Sequence, residues 1–351
     1  MPSAMGPGLR LDVLIPTHNR APMLGRCVHS VLQAVPAVGL DVHVTVVCNA
    51  CSDASREVVR RLQVVHPGQV SLVEERRRGK SKALNAAIAA TTGDLVGMID
   101  DDEEVGAHWL QAIADAFRDP DLDFIGGPYL AVWDAPPPAW VPDDYLAVLG
   151  AMDNGWQPQR YTRDFPGMLK GGNAVIRRRT LLEVGPYAEH LGPGAFTRLF
   201  SCEDEDMYWR LLEHGANGMY LPDLVIYHYI SSKRLTREYY RDWCFWRGVS
   251  RGLMDCRRPL PVAYLAGVPR FLWGRAAQGL LRRAFGPRNR APQEIFTDEL
   301  RTWDVAGYFY GRHIYTLARF SPVKSRRRPG PRDRSALPQH ADELGSIELA
   351  G

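Results

Sequence analysis

Residues 95–102 read Leu-Val-Gly-Met-Ile-Asp-Asp-Asp, a short apolar run that leads directly into three carboxylates. A run of this kind predicts a buried strand with charge at its carboxyl end, which is where ligands bind in open α/β sheets. Because adjacent carboxylates repel one another, Asp100, Asp101 and Asp102 indicate a bound cation, and their oxygens suit Mg²⁺ or Mn²⁺. A solvated loop is the alternative for this stretch taken alone.

Strand-like and helix-like segments alternate through the first third of the chain. The predicted strands cover residues 11–15, 42–48, 70–74 and 95–100, and the helices between them cover 22–35, 55–65 and 80–90. This alternation predicts an α/β fold with a parallel sheet. A loop-rich, aromatic region at 120–170 is typical of a surface that receives a substrate. Helices are then predicted over 179–184, 203–214, 236–252 and 261–285, with a strand over 224–229.

Composition and charge narrow the class of protein. The 351 residues are 45% hydrophobic and 24% charged, which is ordinary for a soluble globular protein, and a net charge of +3 does not indicate nucleic-acid binding. Cys48 and Cys51 have metal-ligand spacing, but the lack of a second pair argues against zinc. No signal-peptide core or membrane span is apparent, so a cytoplasmic protein with reduced cysteines is predicted.

Polar residues follow the first two predicted strands directly. They are Pro16, Thr17, Asn19 and Arg20 after the first strand, and Asn49 and Asp53 after the second. Because parallel strands end at one edge of a sheet, we expect these groups and the acids at 100–102 around one crevice that suits a nucleotide. Capping of turns and helices is the alternative for Asn49 and Asp53.

Three further clusters carry charge or conformational freedom. Lys80 and Lys82 open a predicted helix, where cations and the helix N-terminus suit a diphosphate, although a solvated basic face is the alternative for the preceding arginines. Glu203-Asp204-Glu205-Asp206 places four acids in one first helical turn, more than a helix dipole needs. The segment 171–173, Gly-Gly-Asn, permits close backbone approach to a ligand or forms a plain tight turn.

Taken together, these segments resemble the successive motifs of family-2 glycosyltransferases with the GT-A fold. The quoted stretches are VLIPTHNR, VVCNACSD, RGKSKALNAA and GDLVGMIDDDEE, followed by GGNAVIRR, EVGPY, EDEDMYWRLLEHG and YH. The resemblance covers about residues 10–250. It implies an inverting, nucleotide-sugar-dependent hexosyltransferase that uses Mn²⁺ or Mg²⁺. It also implies a Rossmann-like mixed, mostly parallel sheet flanked by helices, with a C-terminal helical extension.

The resemblance also assigns roles to individual residues. Asp102 matches the metal-binding last acid of the family's D-x-D motif, and His228 matches a histidine that completes the metal site. Asp204 matches the general base and Glu203 its positioning neighbour. The remaining matches concern the donor, through Asp53, Lys80 and Asp100, and the sugar and acceptor pocket, through Gly171, Gly172 and Asn173. Asp101, between the two matched acids, is also expected to contact the donor. Cys48 stands where the family often has an acid that contacts the base, so UDP- and GDP-linked donors both stay open.

We expect four parts in the chain and two kinds of partner. The parts are a flexible N-terminus (1–9), a catalytic domain with nucleotide and acceptor halves (10–118 and 119–252), a helical extension (253–322) and a disordered tail (323–351). The partners are a nucleotide-sugar donor and a saccharide, lipid-linked or other small-molecule acceptor, with no nucleic acid. Arginines opposite apolar residues in 255–320 suit peripheral contact with the inner face of the cell membrane, and covering of the catalytic domain or a dimer contact is the alternative. The oligomeric state stays open.

Two other functions compete with transfer of a sugar. A sugar nucleotidyltransferase also uses a parallel sheet and metal-binding acids, but it requires a glycine-rich phosphate loop after the first strand, and Pro16-Thr17-His18-Asn19 is not one. A catalytically silent nucleotide-sugar-binding protein would have lost one of the two acidic clusters, whereas both are present. The sequence therefore favours a transferase.

Overall fold

The computed structural model of the protein describes residues 8–315, except 196, 198, 199 and 288. In this part the strands are β1 (Leu9–Thr17), β2 (Leu40–Asn49), β3 (Val70–Glu75), β4 (Leu95–Met98), β5 (Glu103–Val105), β6 (Phe124–Gly126), β7 (Tyr129–Trp133), β8 (Gln159–Arg160), β9 (Ala174–Arg177), β10 (Gly218–Tyr220), β11 (Ile226–Ile230), β12 (Tyr264–Leu265) and β13 (Val268–Pro269). The helices are α1 (Ala21–Gln33), α2 (Ser55–Val65), α3 (Lys80–Ala90), α4 (Trp109–Ala116), α5 (Arg178–Val184), α6 (Glu203–His214), α7 (Arg237–Arg257), α8 (Arg270–Phe285) and α9 (Pro292–Phe309). The predicted tail at 323–351 and most of the predicted flexible N-terminus lie outside the described residues.

The main sheet has the strand order β3-β2-β1-β4-β9-β6-β10-β8. Its first four strands run parallel, and β9 is antiparallel to both neighbours. Successive residues of a strand point to opposite faces, so β1 buries Val13 and Ile15 in one apolar core and Leu14 in another. The predicted α/β fold with a mixed, mostly parallel sheet and C-terminal helices is confirmed.

The register of the strands places their polar ends at one edge. Thr17 at the end of β1 lies opposite Cys48 near the end of β2, and β4 runs beside β1 into the acids at 100–102. A second sheet, in the order β5-β11-β7, pairs His228 of β11 with Glu103 of β5. This pairing brings the histidine next to Asp102, although 125 residues separate Glu103 and His228 in the sequence.

The C-terminal helices pack tightly because glycines lie where their backbones cross. A Cβ atom at Gly307 of α9 would lie 1.9 Å from the carbonyl oxygen of Phe245 in α7, and one at Gly248 would lie 2.2 Å from the carbonyl oxygen of Asp304. Only residues without a side chain allow this approach. No helix within the described ranges combines the length and apolar character needed to cross a membrane.

Several boundaries differ from the sequence-based expectation, and three of these differences alter a predicted element or part of the chain. The helical pattern predicted over 261–285 begins with the hairpin β12–β13, because Ala266 and Gly267 have positive φ angles of 48° and 71° that turn the chain, and helix α8 begins only after Pro269. Helix α7 continues without interruption through the predicted domain boundary at 252/253. Strand β1 already begins at Leu9, inside the segment predicted as a flexible N-terminus.

Candidate active site

A large cleft opens at the carboxyl ends of β1, β2 and β4. It has a volume of about 960 Å³. Twelve of the residues singled out in the sequence line it, namely Pro16, Thr17, Arg20, Asn49, Lys80, Asp100, Asp101, Asp102, Gly172, Glu203, Asp204 and His228. The strand ends, the acidic start of α6 and the end of β11 therefore face one space.

Cations hold the three carboxylates after β4 in place. Arg20 Nη1 lies 2.9 Å from Asp101 Oδ1 and 2.6 Å from Asp102 Oδ2. The hydroxyl of Thr17 donates a 2.6 Å hydrogen bond to Asp101. Burial raises the pKa of Asp101 to about 6, against the opposing charge of Arg20. For Asp102 burial acts in the same direction, but the neighbouring imidazole of His228 and the charges of Arg20 and Arg234 hold its pKa below the usual range.

Asp102 and His228 have the chemistry of a divalent-metal site. His228 Nε2 lies 3.6 Å from Asp102 Oδ2, and both side chains are buried. The other ring nitrogen, His228 Nδ1, is buried and makes no hydrogen bond with the described residues. Among the described residues, no cluster of three or more histidine, cysteine or acidic side chains has the geometry to hold a metal ion. One carboxylate oxygen and one imidazole nitrogen nevertheless fit Mn²⁺ or Mg²⁺ when substrate phosphates supply further oxygens.

Asp204 lies in the first turn of α6 with its carboxylate against a glycine. A Cβ atom at Gly171 would lie 2.1 Å from Asp204 Oδ1, and that oxygen is buried without a hydrogen-bond partner in the described structure. A Cβ atom at Gly172 would similarly lie 2.5 Å from the carboxylate of Glu103. The paired glycines thus make room for two acids. Asp204 as a whole is half-buried and lines the cleft, and a carboxylate with an oxygen free of hydrogen bonds there is suited to accept a proton.

Lys80 connects the two acidic clusters. Its Nζ atom lies 2.6 Å from Asp100 Oδ1 and 3.8 Å from Glu203 Oε1. Burial alone would lower the pKa of Lys80, but the charges of Asp100, Asp204 and Glu203 raise it well above its ordinary value. Burial next to Asp204 raises the pKa of Glu203 to about 8. One ammonium group therefore lies close to both acidic clusters.

Five predicted site residues do not line the cleft. Asn19 accepts hydrogen bonds from the backbone of Ser52 and Asp53, and Asp53 accepts them from Ala21 N and from Ser55. These contacts tie the loops after β1 and β2 together. Lys82 donates to the carbonyl of Arg78 at 3.2 Å. Gly171 packs behind Asp204 as described, and Asn173 accepts a hydrogen bond from Trp109 Nε1 at 3.0 Å. Their roles in substrate binding stay predictions.

The structure also adds residues that the sequence did not single out as parts of the site. Glu103 is buried under the cleft and accepts a hydrogen bond from the backbone N–H of Asp100, and burial raises its pKa well above the ordinary value. It directly follows the three acids, so the length of the acidic run was the available signal. Lys170 and Arg247 also line the cleft, and no motif marks either residue.

Comparison with known proteins agrees with this architecture. Residues 12–184 match the family model for glycosyl transferase family 2. A mannosyltransferase from Pyrobaculum calidifontis, solved in complex with GDP-Man and Mn²⁺, superposes with a TM-score of 0.56 over 92% of both chains at 19% identity. The structural neighbour supports a GT-A fold, and the family-model match supports a glycosyltransferase.

Curated relatives point to the same class. Glycosyltransferase AglE of Haloferax volcanii is 22% identical over 62% of this chain and 66% of its own length. The glucosyl-dolichyl phosphate glucuronosyltransferase of the same organism is 25% identical over 53% of this chain and 58% of its own. An uncharacterised glycosyltransferase of a Nostoc species is 31% identical over 32% of this chain, which spans 34% of that relative. The chain thus spans a third to two thirds of these relatives, which together with the family-model match support a family-2 glycosyltransferase.

Proposed function

We propose that the protein transfers a hexose from a UDP- or GDP-linked donor to an acceptor hydroxyl with inversion at the anomeric carbon. The observation that carries this proposal is the shared cleft, which Asp102 and His228 line together with Asp204. The mannosyltransferase complex with GDP-Man and Mn²⁺ supports a nucleotide-sugar donor and a divalent metal.

Four side chains of the cleft have distinct tasks in this reaction. Asp102 and His228 would hold Mn²⁺ or Mg²⁺, which supplies positive charge to the departing diphosphate when it is bound. Asp204 accepts the proton of the acceptor hydroxyl as its oxygen forms the new bond to the anomeric carbon. The bond from that carbon to the diphosphate oxygen breaks, and the electron pair leaves with the nucleoside diphosphate. Lys80 places a further positive charge in the same cleft.

Two substitutions distinguish the role of the proposed base from the role of the proposed metal ligand. Asp204→Asn should abolish sugar transfer and leave donor binding intact, because it removes only the proton acceptor. Asp102→Asn should impair both metal-dependent donor binding and transfer. Asp115→Asn, which changes a carboxylate on the surface helix α4, is the matched control. Normal transfer by Asp204→Asn would overturn the assignment of the base.

A thermal-shift series identifies the donor base. UDP, GDP, ADP and CDP are each added with Mn²⁺, and the nucleotide that fits should raise the melting temperature in a Mn²⁺-dependent way, because binding stabilises only the folded protein. The same series with Asp102→Asn should show a smaller rise. Pyrophosphate release from a nucleoside triphosphate and a sugar phosphate would instead identify a nucleotidyltransferase.

We further propose peripheral contact with an anionic membrane through helix α8. Its outward side exposes Leu280, Leu281 and Phe285 at 54%, 57% and 84%, next to the exposed Arg283. Exposed apolar side chains beside arginines suit the surface of an anionic bilayer. Co-sedimentation with phosphatidylglycerol vesicles should be lost in Phe285→Asp. Val64→Asp, at an 82% exposed site on α2, is the matched control and should still sediment.

A further inference from the structure

Two cations that line the cleft together with Asp204 have no paired carboxylate among the described residues. They are Lys170, which precedes the paired glycines, and Arg247 of α7. Neither has a carboxylate oxygen within 4.0 Å among the described residues, and the guanidinium of Arg247 instead lies 5.3 Å from the centre of the Trp243 ring. The other charged groups facing them are Asp204, Glu203, Glu205, Arg251 and Asp304.

The other cations of the cleft either pair with a carboxylate or are exposed to solvent. Arg251 pairs with Glu205 at 3.1 Å, and Arg301 pairs with Asp298 at 3.3 Å. At the donor end, Arg20 and Lys80 pair with the acids that follow β4. Arg78 and Arg275 also line the cleft, but both are exposed at its rim. Lys170 and Arg247 are thus the partly buried cations in the described cleft that do not pair with an acid.

An unpaired, partly buried cation is costly unless a ligand neutralises it. Burial lowers the pKa of Lys170 although Asp204 opposes this effect, which is the direction expected for an ammonium without a close partner. Lys170 also directly precedes Gly171, whose backbone contacts Asp204. A negative group held by Lys170 would therefore lie close to the proton acceptor.

We propose that the acceptor carries an acidic group, a phosphate or a carboxylate, which Lys170 and Arg247 bind while its hydroxyl faces Asp204. This inference rests on the proposed transferase function and specifies the acceptor class for the same site. Asp304, whose Oδ1 atom is buried without a hydrogen-bond partner in the described structure, accepts a hydrogen bond from a second hydroxyl of the acceptor. The acceptor is accordingly a polyhydroxylated anion, such as an acidic or phosphorylated sugar.

Calorimetric titration tests the acceptor class separately from the transfer reaction. The protein is saturated with Mn²⁺ and with the nucleoside diphosphate that the thermal-shift series selects, so that phosphate probes cannot occupy the donor end. Glucose 6-phosphate, glucuronate, glucose and glucosamine are then compared. The two anions should bind about tenfold or more tightly than the neutral and cationic sugars, as expected for charge-assisted hydrogen bonds. Tight binding of both anions indicates a general acid subsite, and tight binding of one identifies its group.

Variants assign this preference to the two cations. Lys170→Met combined with Arg247→Gln should bring all four affinities within about twofold of one another, whereas Lys170→Arg should keep the preference. Arg61→Gln, on the surface of α2, is the control and should match the unmodified protein. Equal affinities in the unmodified protein, or a preference that survives the double substitution, would overturn the proposal. Failure of every nucleotide to bind with Mn²⁺ would instead count against the transferase function.

Discussion

At the residue scale, Gly171 packs so closely against Asp204 that only a hydrogen atom fits as its side chain. A Cβ atom added at Gly171 would lie 2.1 Å from Asp204 Oδ1, which is much shorter than a van der Waals contact. We predict that Gly171→Ala lowers kcat about tenfold or more by displacing the carboxylate and leaves nucleoside diphosphate binding unchanged. Gly274→Ala on α8, where a Cβ atom meets nothing within 4 Å, should have normal kcat. An unchanged kcat for Gly171→Ala would contradict this reading of the contact.

Glu203 should make stability depend on pH. Because burial raises its folded-state pKa to about 8, the folded protein binds a proton there more tightly than the unfolded chain does. This contribution is present at low pH and is lost as the pH rises through 8, and it amounts to roughly 2 kcal/mol between pH 6 and pH 8. Urea unfolding at both pH values should show the loss in the unmodified protein and a smaller one in Glu203→Gln. Equal losses would exclude Glu203 as the source.

His228 should contribute to metal affinity. Replacement by alanine removes the imidazole nitrogen beside Asp102, and we predict that the Mn²⁺ concentration for half-maximal activity rises about tenfold or more. Titration of donor cleavage with Mn²⁺ measures this change. His214→Ala, at a partly exposed histidine of α6, is the matched control. An unaltered Mn²⁺ requirement in His228→Ala would show that His228 is not a metal ligand.

Single residues also show where prediction from sequence reaches its limit. The acids after β4 could be predicted because an apolar run defines a strand and its carboxyl end defines an edge. Asn19 and Asp53 follow the same logic, but their oxygens satisfy backbone N–H groups of the two loops. The residue types that cap turns are the same ones that bind ligands, so only the folded structure distinguishes capping from ligand binding. Lys170 and Arg247 carried no local signal because their neighbours come from distant parts of the chain.

At the scale of elements, the alternating strands and helices up to β4 and helix α6 were predictable, whereas most of the short strands after β4 and helices α4 and α9 were not. The predicted spans of α2, α3 and α6 coincide with the observed helices, since a clear apolar face marks each of α2 and α6. The hairpin at 264–269 escaped detection because two-residue strands are too short to produce a period of two. Its turn depends on a left-handed alanine and glycine, whose conformations composition does not reveal.

The crossing of α7 and α9 makes a prediction at this scale. Gly307→Ala should destabilise the protein by about 1–3 kcal/mol or more, because the added methyl group would overlap the backbone of α7. Thermal unfolding measures the effect. The substitution Gly274→Ala again provides the control, since it adds the same methyl group to open space on a neighbouring helix. Equal melting temperatures for the two variants would show that the helices separate at little cost.

At the scale of the whole molecule, distant segments meet in a cluster of three aromatic rings. Phe296 of α9 is fully buried, with ring centres 5.1 Å from Trp140 and 6.0 Å from Tyr240. We predict that Phe296→Ala lowers the free energy of unfolding by about 3–5 kcal/mol, as measured by urea titration. Phe285→Ala, at an 84% exposed phenylalanine, should change it little. Similar values for both would mean that α9 contributes little to the folded core.

The position of Lys80 has a consequence for the timing of the reaction. Its ammonium is shared between the acids that follow β4 and the acids that open α6. A negative group that arrives or leaves on one side therefore changes how strongly the ammonium is drawn to the other. In the proposed reaction, departure of the nucleotide and deprotonation of the incoming alcohol would thus be coupled through a common counter-charge, so that neither step would be electrostatically independent of the other.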